Sequence, residues 1–178
     1  NNSKSTLKVV EDIKNIYMIG MMGSGKSTVG ELLSRRMSWK FIDFDREIEN
    51  DEKCTINEIF SDNESRFRKL ETKKIHELKD FNRTIFSTGG GIVMNKKNYD
   101  LLSNSFCIYL KTSISEILKR IGQDNSRPLI KNKKLETLNN IEKERQNVYS
   151  SLADLTINTD NKSIDEICSI IEEKINVK

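Results

Sequence analysis

Gly20-Met21-Met22-Gly23-Ser24-Gly25-Lys26-Ser27 follows the apolar run Ile16-Tyr17-Met18-Ile19 and precedes Val29, Leu32, Leu33 and Met37, which recur at helical spacing. The pattern is G-x-x-x-x-G-K-[ST] set between a strand and a helix, the context that makes it a phosphate loop. Its glycines let successive backbone N–H groups turn inward around phosphate oxygens, and the helix after them adds the positive end of its dipole. Gly23, Ser24, Gly25 and Thr28 belong to this cradle, Lys26 meets the β- and γ-phosphates, and Ser27 meets Mg²⁺. The chain therefore binds a nucleoside phosphate.

Outward from the loop, the first helix runs from Lys26 to about Met37 and Phe41-Ile42 reads as a second strand ending at Asp43-Phe44-Asp45. Thr55-Ile56-Asn57-Glu58 is a capping box opening a short helix through Phe60, and Glu64 to Leu78 makes a longer one. Thr84 to Ser87 is a third strand that enters Gly89-Gly90-Gly91, a backbone permissive enough to let a ligand approach closely. Phe106 to Leu110 is a fourth strand, followed by a helix opened at Ser113. Gly122 to Lys134 has no periodicity, carries the single proline Pro128, and reads as a mobile surface segment. A helix from Leu135 to Tyr149, a strand over Leu155-Thr156-Ile157 and a helix capped at Ser163 complete the chain. Short apolar strands alternating with helices predict a parallel sheet with helices on both faces, whose ligands gather at the carboxyl ends of the strands.

The 178 residues suit one domain, 15–178, after a frayed polar segment at 1–14. A net charge of +3 spread over many charges of both signs gives no stripe of the kind nucleic-acid binders show, so no nucleic-acid partner is expected. Cys54, Cys107 and Cys168 are odd in number and widely spaced, which indicates neither a disulfide framework nor a zinc site and fits a reducing compartment. No apolar run is long enough to cross a bilayer, so no membrane partner is expected either.

Phosphoryl transfer asks for a metal, cations on the moving group and an acceptor oxygen held in line. Asp43 and Asp45, alternate residues of a strand, can point across its end toward the phosphate loop, one for the metal and one for a hydroxyl. A carboxylate after the fourth strand is missing, because Leu110 is followed by Lys111, and this strengthens Asp43 as the metal residue. Pattern alone does not choose among Arg68, Arg120, Arg127 and Arg145, although Arg127 lies in the mobile segment, where closure would bring a guanidinium onto the phosphoryl group. His76 falls on the exposed side of a charged helix, and Trp39 reads as packing.

Gly20 to Ser27 with Thr28-Val29-Gly30, Phe41-Ile42-Asp43-Phe44-Asp45, Phe67-Arg68-x-x-Glu71, Thr88-Gly89-Gly90-Gly91, Arg120, Arg127-Pro128-Leu129 and Glu144-Arg145 before Tyr149 together resemble shikimate kinase, in order and spacing, from about Ile16 to the end. The resemblance implies an α/β, three-layer P-loop NTPase fold of nucleoside-monophosphate-kinase type, with a central parallel five-stranded sheet, an acceptor-binding region near 45–80 and a lid near 121–134. It implies an ATP-dependent phosphotransferase that converts shikimate to shikimate 3-phosphate on the route to chorismate and aromatic amino acids, with Mg²⁺, as a cytoplasmic monomer.

By the same resemblance Asp45, Lys26 and Arg127 are catalytic, Asp43 supports Mg²⁺ beside Ser27, and Arg120 lies along the adenine. Arg68 and Arg145 clamp the shikimate carboxylate, as the planar guanidinium fork suits; Glu71 holds Arg68, and Gly89, Gly90 and Gly91 let backbone amides approach the ring. Two departures stand out: Asn147 where the family has proline, and Asn63 where it has glycine before Glu64. A kinase for another acceptor fits the arginine pair poorly, and Asn95-Lys96-Lys97-Asn98 lacks the aspartate that reads guanine.

Overall fold

The computed structural model describes residues 10–122 and 134–175. Five strands, β1 (Asn15–Ile19), β2 (Lys40–Asp43), β3 (Thr84–Ser87), β4 (Phe106–Lys111) and β5 (Leu155–Asn158), form one sheet in the order β2-β3-β1-β4-β5. Every pairing in it is parallel. The helices are α1 (Lys26–Met37), α2 (Phe44–Glu52), α3 (Ile56–Asp62), α4 (Glu64–Glu77), α5 (Lys96–Ser103), α6 (Ile114–Gly122), α7 (Lys134–Leu152) and α8 (Ile164–Lys174).

The strands are apolar on both faces because both are covered. Ile16 and Met18 of β1 pack with Val29 and Leu33 of α1 and Ile167 and Ile171 of α8. Tyr17 and Ile19, pointing the other way, join Ile75 of α4, Leu102 of α5, Ile117 of α6 and Tyr149 of α7. A satellite core of Ile48, Ile59 and Phe67 ties α2, α3 and α4 into one unit beside the sheet. The three-layer arrangement expected from the alternating pattern is thus present.

Three local expectations are corrected. Phe44 and Asp45 do not continue a strand: Asp43 ends β2 and caps α2, its side chain accepting from the backbone N–H groups of Asp45 and Arg46. Val10–Asp12, expected to fray, form a 3-10 turn anchored by Val10 N–H to the Ile175 carbonyl at 2.9 Å. His76 is half-buried rather than exposed, with its Nε2 covered. Elsewhere α1 and β3 span the expected residues, and the Thr55 capping box is closed from both sides, by Glu58 N–H to Thr55 Oγ1 and Thr55 N–H to Glu58 Oε2.

β1 sits between β3 and β4, so chain connections leave it in both directions and open a crevice at the carboxyl ends of the strands. The phosphate loop follows β1, Asp43 and Asp45 follow β2, and the triple glycine follows β3. The topology therefore delivers all three motifs to one edge.

Candidate active site

The phosphate loop turns through Gly25, which caps α1 at φ 93°, a left-handed backbone that a side chain would strain. Lys26 is buried and its Nζ donates to the carbonyls of Gly20 and Met21, each at 2.8 Å, so the ammonium is already held over the loop. The Ser24 hydroxyl is covered and has no partner among the described residues. Thr28 is exposed on the first turn of α1. Arg120 of α6 donates to the Gly23 carbonyl at 3.1 Å and pairs with Glu116 at 3.4 Å, which lays its guanidinium along the outside of the loop.

Beside the loop Ser27 Oγ donates to Asp43 Oδ2 at 2.6 Å and meets the Ser87 hydroxyl at 2.9 Å. Asp43 and Ser87 face each other across the β2–β3 pairing, which explains how a residue of a third strand reaches this cluster. Ser87 was not anticipated as a site residue; only the sheet register reveals it. One carboxylate and two hydroxyls make a hard, all-oxygen donor set of the kind Mg²⁺ prefers alongside phosphate oxygens.

Asp45 stands in the first turn of α2, and a methyl group at Gly89 would lie 3.6 Å from its Oδ1. The same methyl would collide with Glu71 Oε2, so the first glycine is required by the close approach of that buried carboxylate. Thr88 pins this turn to β1 through its Oγ1, which donates to the Met18 carbonyl at 2.8 Å.

Arg68 of α4 donates to Glu71 Oε1 at 2.7 Å, one turn along the helix, and is 3.6 Å from Glu64. Its guanidinium lies over the rings of Phe60 and Phe67, at 5.7 and 5.4 Å, and against Gly91, where any Cβ would overlap it. Glu71 is 2% exposed, and burial pushes its carboxyl up to about 7 against the opposing pull of Arg68. Arg145 of α7 closes the other side: its Nη1 would be 3.2 Å from a methyl at Gly90, and its Nε is buried without a partner among the described residues.

The two arginines line an open cleft of about 370 Å³ together with Gly91, Asn95 and Asn98. The structure thus brings Asp45, Arg68, Arg145 and the three glycines to one side of the crevice and Lys26, Ser27 and Asp43 to the other. Arg127 and residues 123–133 of the expected lid lie outside the described residues.

The family model for shikimate kinase matches residues 22–176. The chain belongs to the shikimate kinase family. It is 41% identical to a shikimate kinase from Sulfurihydrogenibium over 92% of this chain and 98% of that one. Among solved structures, a shikimate kinase from Acinetobacter baumannii in complex with shikimate superposes with a TM-score of 0.87 at 32% identity, covering 93% of this chain and 94% of the other. A gluconokinase from Sinorhizobium meliloti, at 15% identity and TM-score 0.57 over 92% of this chain and 91% of the other, shares the fold alone. Membership of the shikimate kinase family accounts for an ATP-dependent kinase built on this sheet, and no described helix is long and apolar enough to cross a membrane.

Proposed function

We propose that this chain transfers the γ-phosphoryl group of ATP to the 3-hydroxyl of shikimate, giving shikimate 3-phosphate and ADP. The observation that carries the reading is the convergence of Arg68 and Arg145 on the triple glycine beside Asp45, opposite the phosphate loop. Paired guanidinium forks suit a carboxylate, and the Nε of Arg145, buried without a partner among the described residues, is a donor for one of its oxygens. The ring hydroxyls then fall toward Asp45 and the backbone of Gly89 to Gly91.

In the transfer, a new bond forms between the acceptor oxygen and the γ-phosphorus as the bridging β,γ bond breaks. Asp45 orients the hydroxyl and takes its proton; ADP leaves with the bond electrons. Lys26, now spent on two loop carbonyls, exchanges them for phosphate oxygens. Ser27 and Asp43 would hold Mg²⁺, and the bound ion would supply charge neutralisation across the β- and γ-phosphates. Arg120 lies along the nucleotide, and Arg127 joins Lys26 on the transferred group. The unit spanning 15–178 acts as a cytoplasmic monomer, with 45–80 holding the acceptor and 121–134 serving as the lid.

Coupled ADP release with shikimate, gluconate and a nucleoside monophosphate offered in turn tests this. Strong preference for shikimate is expected; equal or better turnover with either alternative overturns the acceptor assignment.

A further inference from the structure

Arg145 cannot clamp a carboxylate unless its long side chain is held, and the group beside it is a tyrosine. Tyr149 follows Arg145 by one turn of α7, so the two share a helix face. Its ring is 1% exposed and packs on Tyr109 of β4 with centroids 5.1 Å apart, which leaves the hydroxyl little freedom. That hydroxyl donates to the Gly90 carbonyl at 2.5 Å. A phenol has one proton and two lone pairs. With the proton committed to Gly90, the phenol oxygen is left as an acceptor beside the Arg145 guanidinium, whose charge offsets part of the rise that burial gives the phenol.

Tyr149 and the Nη1 end of Arg145 thus meet at Gly90, which links the two walls enclosing the acceptor. Burial pushes the Tyr149 hydroxyl up to about 12, so the phenol keeps the proton it donates to Gly90 across the working pH range. The Nη1 end of Arg145 is thereby set against Gly90 while Nε stays covered and unpartnered among the described residues.

We infer that Tyr149 is a positioning residue for Arg145, fixing the orientation of its guanidinium against Gly90 and so setting the preference for an acceptor that carries a carboxylate. The inference rests on Arg145 being part of the carboxylate clamp. The tyrosine, buried against Tyr109 with its hydroxyl on Gly90, acts through the arginine and the glycine turn. Without its hydroxyl the guanidinium keeps its charge but loses its bearing, and Gly90 loses the tie that holds its carbonyl toward α7.

The test is Tyr149→Phe, which keeps the ring on Tyr109, assayed with shikimate and with its neutral methyl ester. For the parent enzyme a large preference for shikimate over the ester is expected. In Y149F the shikimate KM should rise about tenfold, with the ATP KM within about twofold and the ester's kcat/KM falling by less than about threefold, the part due to the loosened Gly90 turn. Arg145→Ala provides the second arm: once the guanidinium is gone, adding Y149F should change the shikimate KM by less than about twofold, since residues acting as one unit are not additive.

Equal losses for shikimate and ester, or full additivity with Arg145→Ala, mean that the hydroxyl serves only the Gly90 turn or packing, not the arginine, and overturn the inference. An unchanged shikimate KM in Y149F overturns it too. If the parent enzyme itself does not distinguish shikimate from the ester, the clamp has failed, a different result from a clamp that works without Tyr149.

Discussion

Ser27 Oγ donates to Asp43 Oδ2 across 2.6 Å, joining the first turn of α1 to the end of β2. Asp43 does two jobs at once, since its other oxygen caps α2. Asparagine keeps an acceptor and is itself a good N-cap, so Asp43→Asn should leave the fold intact while removing the charge proposed to hold the metal. The expected outcome is a rise of about tenfold or more in the Mg²⁺ needed for half-maximal turnover, with thermal unfolding little changed. An unaltered Mg²⁺ titration would remove Asp43 from the metal site.

Asp45 is two residues on yet stands beside Gly89, because the helix turn that Asp43 caps rotates it there. Asp45→Asn retains the shape and removes the carboxylate proposed to take the hydroxyl proton. Turnover should fall by about 10²–10⁴-fold while ATP affinity stays near the parent value. Loss of ATP binding with turnover preserved would mean that the two aspartates have exchanged roles.

The triple glycine gives a graded test. At Gly91 the atoms nearest an added methyl are those of the Arg68 guanidinium, the end of a long side chain, so Gly91→Ala should unfold near the parent temperature but displace that guanidinium. At Gly89 the methyl meets Glu71 Oε2, on a side chain that is 2% exposed and has nowhere to go. Gly91→Ala should therefore raise the shikimate KM by about tenfold with stability retained, whereas Gly89→Ala should lose both. Kinetics paired with thermal melts separate the cases; equal destabilisation of the two variants would show that Arg68 is as rigidly held as Glu71.

Much of this arrangement is legible in the chain. Residues Lys26–Met37 and Thr84–Ser87 are recovered because local pattern and tertiary role agree there: a helix after a phosphate loop, and an apolar strand before glycines. α2 is not, since Arg46 to Glu52 is nearly all charged and only Phe44 and Ile48 mark its buried side. α5 is missed for a similar reason, although Asn95 capping the Lys97 N–H is a local signal that could have announced it. Ser87 and Tyr149 lie beyond any local reading. Their partners Ser27 and Gly90 are about 60 residues away, and only sheet register and helix packing bring them together.

Glu71 offers a prediction in which burial and charge pairing compete. The carboxyl is raised to about 7 because desolvation outweighs the attraction of Arg68, with Asp45 adding to the rise. In the unfolded chain a glutamate titrates near 4.3, so between that value and 7 the folded state binds the extra proton. Stability from this group is therefore complete below about pH 4 and is lost as pH rises through 7. Between pH 5 and pH 8 the loss is about 2–3 kcal/mol. Glu71→Gln cannot titrate, so its urea-unfolding free energy should lack this decline, and the gap between parent and variant should shift in the variant's favour as pH increases. A gap that stays constant from pH 5 to pH 8 would show that Arg68 holds Glu71 ionised throughout, the ion pair prevailing over burial.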